Sequence, residues 1–140
     1  METNEGEVFS ILIFSSFIFI TNVLSTFCKK NYIYCFLFVC LTITSLIFHY
    51  NANIYTNILD KIFVLSIVFY GGYLLYNKAT PDNQFNVLLI VITFLSCIFL
   101  FFYGYYVKDY CYNPDKCVGD KYHCILHIIS SFGHHLITFL

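Results

Sequence analysis

Four histidines lie in the stretch YHCILHIISSFGHH, residues 122–135, which is otherwise rich in apolar residues. His123 and His127 are four residues apart, a spacing that stacks two imidazoles one turn apart on a helix face. Two imidazoles so placed can grip one metal ion, as they do on metalloprotease helices. The stretch SLIFH, residues 45–49, sets Ser45 and His49 at the same spacing. A third nitrogen from His49 would give a three-histidine set with one position open, the arrangement of a catalytic zinc. Zinc in such a site acidifies water and polarises a carbonyl. The plainer alternative for a lone histidine such as His49 is a bond to a neighbouring helix or a place in a small wet cavity. Ionisable groups inside a membrane are costly, however, and usually mark a site.

The elements that must position these residues are apolar spans. Hydrophobic residues make up 59% of the 140-residue chain and charged residues 11%, more apolar surface than a soluble domain of this size can hide. Five segments approach the 20 or so residues that a helix needs to cross a hydrocarbon core: 8–27, 32–50, 57–76, 85–107 and 122–140. Their β-branched and aromatic residues would suit strands in water, but in lipid runs of this length satisfy their backbone as helices. The head METNEGE is acidic and its apolar run long, so segment 8–27 reads as a retained helix rather than a signal peptide. The expectation is an all-α, polytopic membrane bundle of about five helices forming one domain, residues 1–140. The net charge of −1 gives no basic patch, which argues against a nucleic-acid partner.

Counting crossings brings the polar residues together. The end of the second span (Ser45, His49), the start of the third (Asp60) and the start of the fifth (His123, His127) fall on one membrane side, whichever side that is. The KK of the first loop and the acidic N-terminus favour the N-terminus outside. Lys61 is either an ion-pair partner of Asp60 or a residue that snorkels to the interface. Cys124 is a soft ligand by type, but it points about 100° away from His123 on a helix. His134 follows His127 by seven residues on the same stripe, about 10 Å further along, too far to share the ion. It and His135 line the cavity floor, pair with a polar group of the first span or lie at the opposite interface, the interface being the favoured expectation. Cys111 and Cys117 bracket YNPDK in the longest loop, 108–121, and are equally readable as a disulfide or as two free thiols.

Taken in order, SLIFH, Asp60 in ILDKI and HCILHIISSFG resemble the alkaline ceramidase family. That family belongs to a superfamily of membrane hydrolases with adiponectin receptors, haemolysin III-like and Per1-like proteins. Its signature is S-x-x-x-H, a later Asp and H-x-x-x-H in the last helix. Phe48 before His49, and Asp60 eleven residues on, are similar to the ceramidase branch. The resemblance covers residues 45–68 and 121–135. It departs in helix number, since family members usually have seven, so this chain would be a shortened version, and in lacking tryptophans beside H-x-x-x-H. The resemblance implies that His49, His123 and His127 ligate zinc, that Asp60 is the general base and that Ser45 steadies the oxyanion or the ligand shell. It implies a lipid amide substrate such as ceramide, met within the bilayer of an endoplasmic reticulum or Golgi-type membrane. Calcium is a further implied cofactor only if Glu7, with Glu2 or Glu5, stands for the family's acidic N-terminal segment. The rival readings are a receptor-like or Per1-like lipid-remodelling protein of the same superfamily, and a metal-binding membrane protein without turnover.

Overall fold

The structure, a computed structural model, describes the backbone from Glu5 and the side chains from Ile11 to Leu140. Glu2, Glu5 and Glu7, on which calcium would depend, therefore have side chains outside the described residues. Every regular element among the described residues is helical. The helices are α1 (Glu5–Ser16), α2 (Phe19–Cys28), α3 (Tyr32–Tyr50), α4 (Ile54–Lys78), α5 (Gln84–Ile98), α6 (Gly104–Val107) and α7 (Lys116–Phe139).

Polar residues at the chain's turns decide where the apolar runs start and stop. Asn31 opens α3 by accepting the Tyr34 N–H at 3.3 Å. Asn53 opens α4 three residues earlier than its apolar run suggests, because its side chain and that of Thr56 cap each other's backbone N–H groups. Asp115 likewise starts α7 at Lys116, accepting from the Cys117 N–H at 2.9 Å. The longest expected loop is shortened accordingly.

The first span is not one straight helix. Ser15 Oγ and Ser16 Oγ both donate to the Leu12 carbonyl, at 3.0 and 2.9 Å. Such back-bonding competes with the helical ladder and bends it. The next bonds tighten to i→i−3, from Phe17 N to Phe14 O and from Ile18 N to Ser15 O, both 3.2 Å. α1 and α2 therefore meet at a break. The fourth span is also irregular: α5 passes through a π-helical turn, Phe99–Tyr103, before α6. Lys108, with φ 58°, then ends it in the left-handed conformation.

Packing places α7 against α1, α2 and α5, and α3 against α2 and α4. The core is a band of Phe19, Tyr34, Phe38, Leu41, Ile67, Ile90 and Ile137. Asn22 and Ser131 pin α2 to α7 twice, through Asn22 Nδ2 to Ser131 O at 3.0 Å and Ser131 Oγ to Asn22 Oδ1 at 2.6 Å. Gly133 lets α5 approach, since a Cβ there would run into Thr93.

Among the described residues, four stretches are long and apolar enough to cross a membrane: Ile11–Cys28, Tyr32–Tyr50, Ile54–Lys78 and Pro81–Val107. Their large side chains point outward; Phe69 is 74% exposed and Phe85 71%. A soluble monomer does not present such continuous apolar surface to water. The fifth expected span, α7, has 24 residues and so the length, but its four histidines make it more polar. It turns His127, Ser131 and Gly133 into the bundle.

Candidate metal centre

The last turn of α3 carries His49, and α7 carries His123 and His127 one turn apart in its first half. Their ring centroids are 5.2 Å (His49–His123), 5.5 Å (His49–His127) and 4.9 Å (His123–His127) apart. One nitrogen from each ring can be chosen so that all three lie within 4.8 Å of one another. Around a tetrahedral zinc with bonds of 2.0–2.1 Å, nitrogens sit about 3.3 Å apart. Small ring rotations therefore suffice to close the set on one ion. Three neutral imidazoles are a donor set suited to zinc, copper, iron or nickel. No carboxylate or thiol joins the three among the described residues, and Cys124 is outside the group.

A pair of adjacent serines, which the sequence reading passed over, completes the surroundings. Ser15 Oγ lies 2.9 Å from His127 Nδ1, and Ser16 Oγ lies 3.0 Å from Ser45 Oγ. With its proton on the Leu12 carbonyl, Ser15 accepts at His127, and Nδ1 then carries the hydrogen; with its proton on Nδ1 the tautomer is the opposite one. In the first arrangement His127 Nε2 has the free lone pair, the state that a metal ligand needs. Ser16 and Ser45 share one hydrogen bond, in which either hydroxyl can donate. The Phe19 ring, with its centroid 5.2 Å from that of His127, covers the imidazole from α2. The break between α1 and α2 thus puts two hydroxyls and one aromatic ring around the histidines. The signal available in the sequence was the dipeptide Ser15-Ser16 in the middle of an apolar run.

Asp60 is 5% exposed on α4. Its Oδ2 accepts from Lys61 Nζ at 3.1 Å, so Lys61 is an ion-pair partner. Lys61 Nζ also lies over the rings of Phe48, at 5.5 Å, and Phe101, at 5.2 Å. Its charge acts through space on all three histidines. Asp60 Oδ1 is buried and has no hydrogen-bond partner among the described residues. An orphaned carboxylate oxygen is expensive, and it marks a place where a donor belongs. Asp120 Oδ2 is orphaned in the same way. Asp120 precedes His123 by three residues and His127 by seven, on the same stripe of α7, and was not singled out in the sequence.

Of the placings expected for His134 and His135, pairing with a polar group of the first span holds for His135, whereas His134 is drawn inside the bundle rather than left at the far interface. His134 Nδ1 is hydrogen-bonded to the Tyr34 hydroxyl inside the bundle. The partner is wholly buried, and Gly71 makes room for it: a Cβ there would come within 2.8 Å of the Tyr34 hydroxyl. His135 Nε2 meets Thr21 Oγ1 of the first span at 2.9 Å. The seven-residue offset from His127 is right, but a neighbour on α3 captures the His134 ring before it can reach an interface.

Cys111, in the loop after α6, and Cys117, in the first turn of α7, are free thiols. Burial pushes the Cys111 thiol up to about 11, so it is not a reactive thiolate at neutral pH. Asp109 is held below the ordinary carboxylate range by the Asn113 amide and the Tyr110 backbone N–H, at 2.6 and 2.7 Å.

An apolar groove of about 600 Å³ runs between α5 and α7, lined in part by Leu95, Phe99, Ile125 and Ile129. Ile125 is two residues from both His123 and His127, hence on the opposite side of α7, so this groove does not open on the histidines. The chain matches no family model, no curated protein and no solved structure.

Proposed function

We propose that the chain is a membrane-embedded zinc hydrolase that cleaves the amide bond of ceramide or a related lipid amide, in the manner of the alkaline ceramidases it resembles. The observation that carries this reading is the convergence of His49, His123 and His127 from two helices, with one nitrogen of each within 4.8 Å of the others. A purely structural ion would be closed by a fourth protein ligand, and the described residues supply none within that group.

Zinc, when bound, supplies acidified water and a Lewis acid for the carbonyl. The chain's own residues do the rest. Ser15, with its proton on Leu12, holds the His127 ring with Nε2 free. Asp60 Oδ1, buried and without a donor, takes a proton from the attacking water. The water oxygen bonds to the acyl carbon, the C–N bond breaks, and the proton passes to the departing amine. Lys61 holds Asp60 in place through Oδ2. Ser45, held by its hydrogen bond to Ser16, steadies the ligand shell, or donates to the oxyanion when Ser16 is the donor in that bond.

The test is metal analysis of the purified chain together with turnover of a fluorescent ceramide in mixed micelles. The expected result is about one zinc per chain. His123→Ala should lose both zinc and turnover. Asp60→Asn should keep zinc and lose turnover by about 10²–10⁴. Zinc retained in a wild-type chain that turns over no lipid amide would leave a metal-binding membrane protein; absence of zinc from the wild type removes the reading altogether.

A further inference from the structure

The end of the bundle away from the histidines carries a second set of groups. The turn between α2 and α3 is Lys29, Lys30 and Asn31; α4 ends at Lys78, and α7 ends beside it. Together with Tyr70 and Thr138 these residues line a cleft of about 440 Å³. The hydrogen bonds around it consume the acceptors and leave donors. Asn31 Oδ1 accepts from the Tyr34 N–H at 3.3 Å and from the Tyr70 hydroxyl at 3.1 Å, which turns Nδ2 the other way, where it has no partner among the described residues. Lys78 Nζ donates to the Ile137 and Thr138 carbonyls at 3.0 and 3.3 Å and has a third hydrogen to give. Lys29 Nζ rests 4.9 Å from the Phe139 ring centroid and feels the charge of Lys78. Lys30 makes no side-chain hydrogen bond or ion pair with the described residues, and its backbone is locked in the left-handed region by the Lys30 N–H to Phe27 O bond of 2.9 Å.

No carboxylate pairs with any of these lysines among the described residues, where Lys61–Asp60 is the one ion pair. The contrast with the other end is plain, since Lys108, Lys116 and Lys121 alternate there with Asp109, Asp115 and Asp120. Three uncompensated ammonium groups with a spare amide N–H ask for a ligand made of acceptor oxygens and negative charge. The cleft also sits where three apolar helices end, which in a bilayer is the level of the headgroup phosphates. Exposed Tyr32, Tyr73 and Tyr76 at that end are what an interface selects.

We propose that this cleft binds a phosphate group, as carried by an anionic membrane lipid. The lipid source rests on the membrane reading above. Whether the chain stays in carbonate-washed membranes reports on that reading separately, and zinc content reports on the metal site.

The experiment is native mass spectrometry of the full chain in a non-ionic detergent, with dioleoyl phosphatidylglycerol, dioleoyl phosphatidylcholine or inorganic phosphate. The phosphatidylglycerol adduct should dominate over phosphatidylcholine, whose choline cation the lysines repel. Lys29→Gln with Lys30→Gln should weaken the phosphatidylglycerol adduct by about tenfold or more. Lys78 is spared because it caps α7. The matched pair Lys116→Gln and Lys121→Gln should retain the adduct. Displacement of the lipid by millimolar inorganic phosphate would identify free phosphate as the ligand; resistance to it would identify the lipid. Equal retention of the two lipids by the wild type, undiminished binding in the Lys29/Lys30 variant, or equal loss in the control pair would each overturn the proposal.

Discussion

The two halves of α7 use the same residue type for opposite ends. In the first half, His123 and His127 face His49, and the only hydrogen bond to any of the three rings within the described residues is the one between Ser15 Oγ and His127 Nδ1. In the second half, His134 is tied to Tyr34 and His135 to Thr21. The first set therefore keeps lone pairs available, whereas the second spends its nitrogens on holding helices together. What separates them is the neighbouring helix, not the histidines themselves. α3 offers an imidazole at one end and a phenol at the other.

That contrast can be broken or sharpened by substitution. The larger effect is expected at Ser15. Ser15→Ala removes the hydroxyl that, as acceptor, sets the His127 tautomer, and zinc affinity should fall about 10–100-fold, as it does when an outer partner of a ligand is lost. Ser15→Thr should restore it. Competition with a chromogenic chelator reads this directly, and an unchanged affinity in Ser15→Ala would remove the positioning role.

At the other end, Tyr34→Phe leaves the buried His134 nitrogen without its partner. A loss of about 1–3 kcal/mol in stability is expected, the cost of one unsatisfied buried group. Thermal unfolding in detergent measures it, and zinc affinity should not change. If Tyr34→Phe lowered zinc affinity as much as Ser15→Ala, the two halves of α7 would be one coupled unit rather than two.

The smallest effect is expected in the loop that precedes α7. Asp109 has a folded-state pKa below its ordinary value of 3.8, because Asn113 and the Tyr110 N–H favour its charged form. A depressed carboxylate contributes stability above its unfolded value and loses that contribution as the pH falls through its folded value. Asp109→Asn should therefore loosen residues 108–115 slightly at neutral pH, and the variant and wild type should converge in strong acid. Hydrogen exchange of the loop amides at the two pH values checks this; a difference that persisted in acid would show that the side chain's shape, not its charge, matters.

Much of this organisation was legible in the residues alone, for definite reasons. Apolar runs near the length of a bilayer crossing declare helices, because lipid leaves the backbone no other partner. Spacings of four declare a shared face, since the helical period is fixed. The same counting placed Ser45, His49, Asp60, His123 and His127 toward one end of the bundle, and three of them do meet there. Asp120 could have been found by the same stripe rule.

Tertiary structure decided what period and length cannot encode. The residues 8–27 read as one span, but they break where Ser15 and Ser16 bond back to Leu12, and the break is useful only because His127 and Ser45 are there to receive the hydroxyls. His134 reads as interfacial from its distance to the chain's last residues, yet Tyr34, a hundred residues away, draws it inside. A sequence specifies local geometry through interactions between near neighbours. Which lone pair stays free, and which is spent, depends on bonds between residues far apart in the chain, and those exist only once the helices have packed.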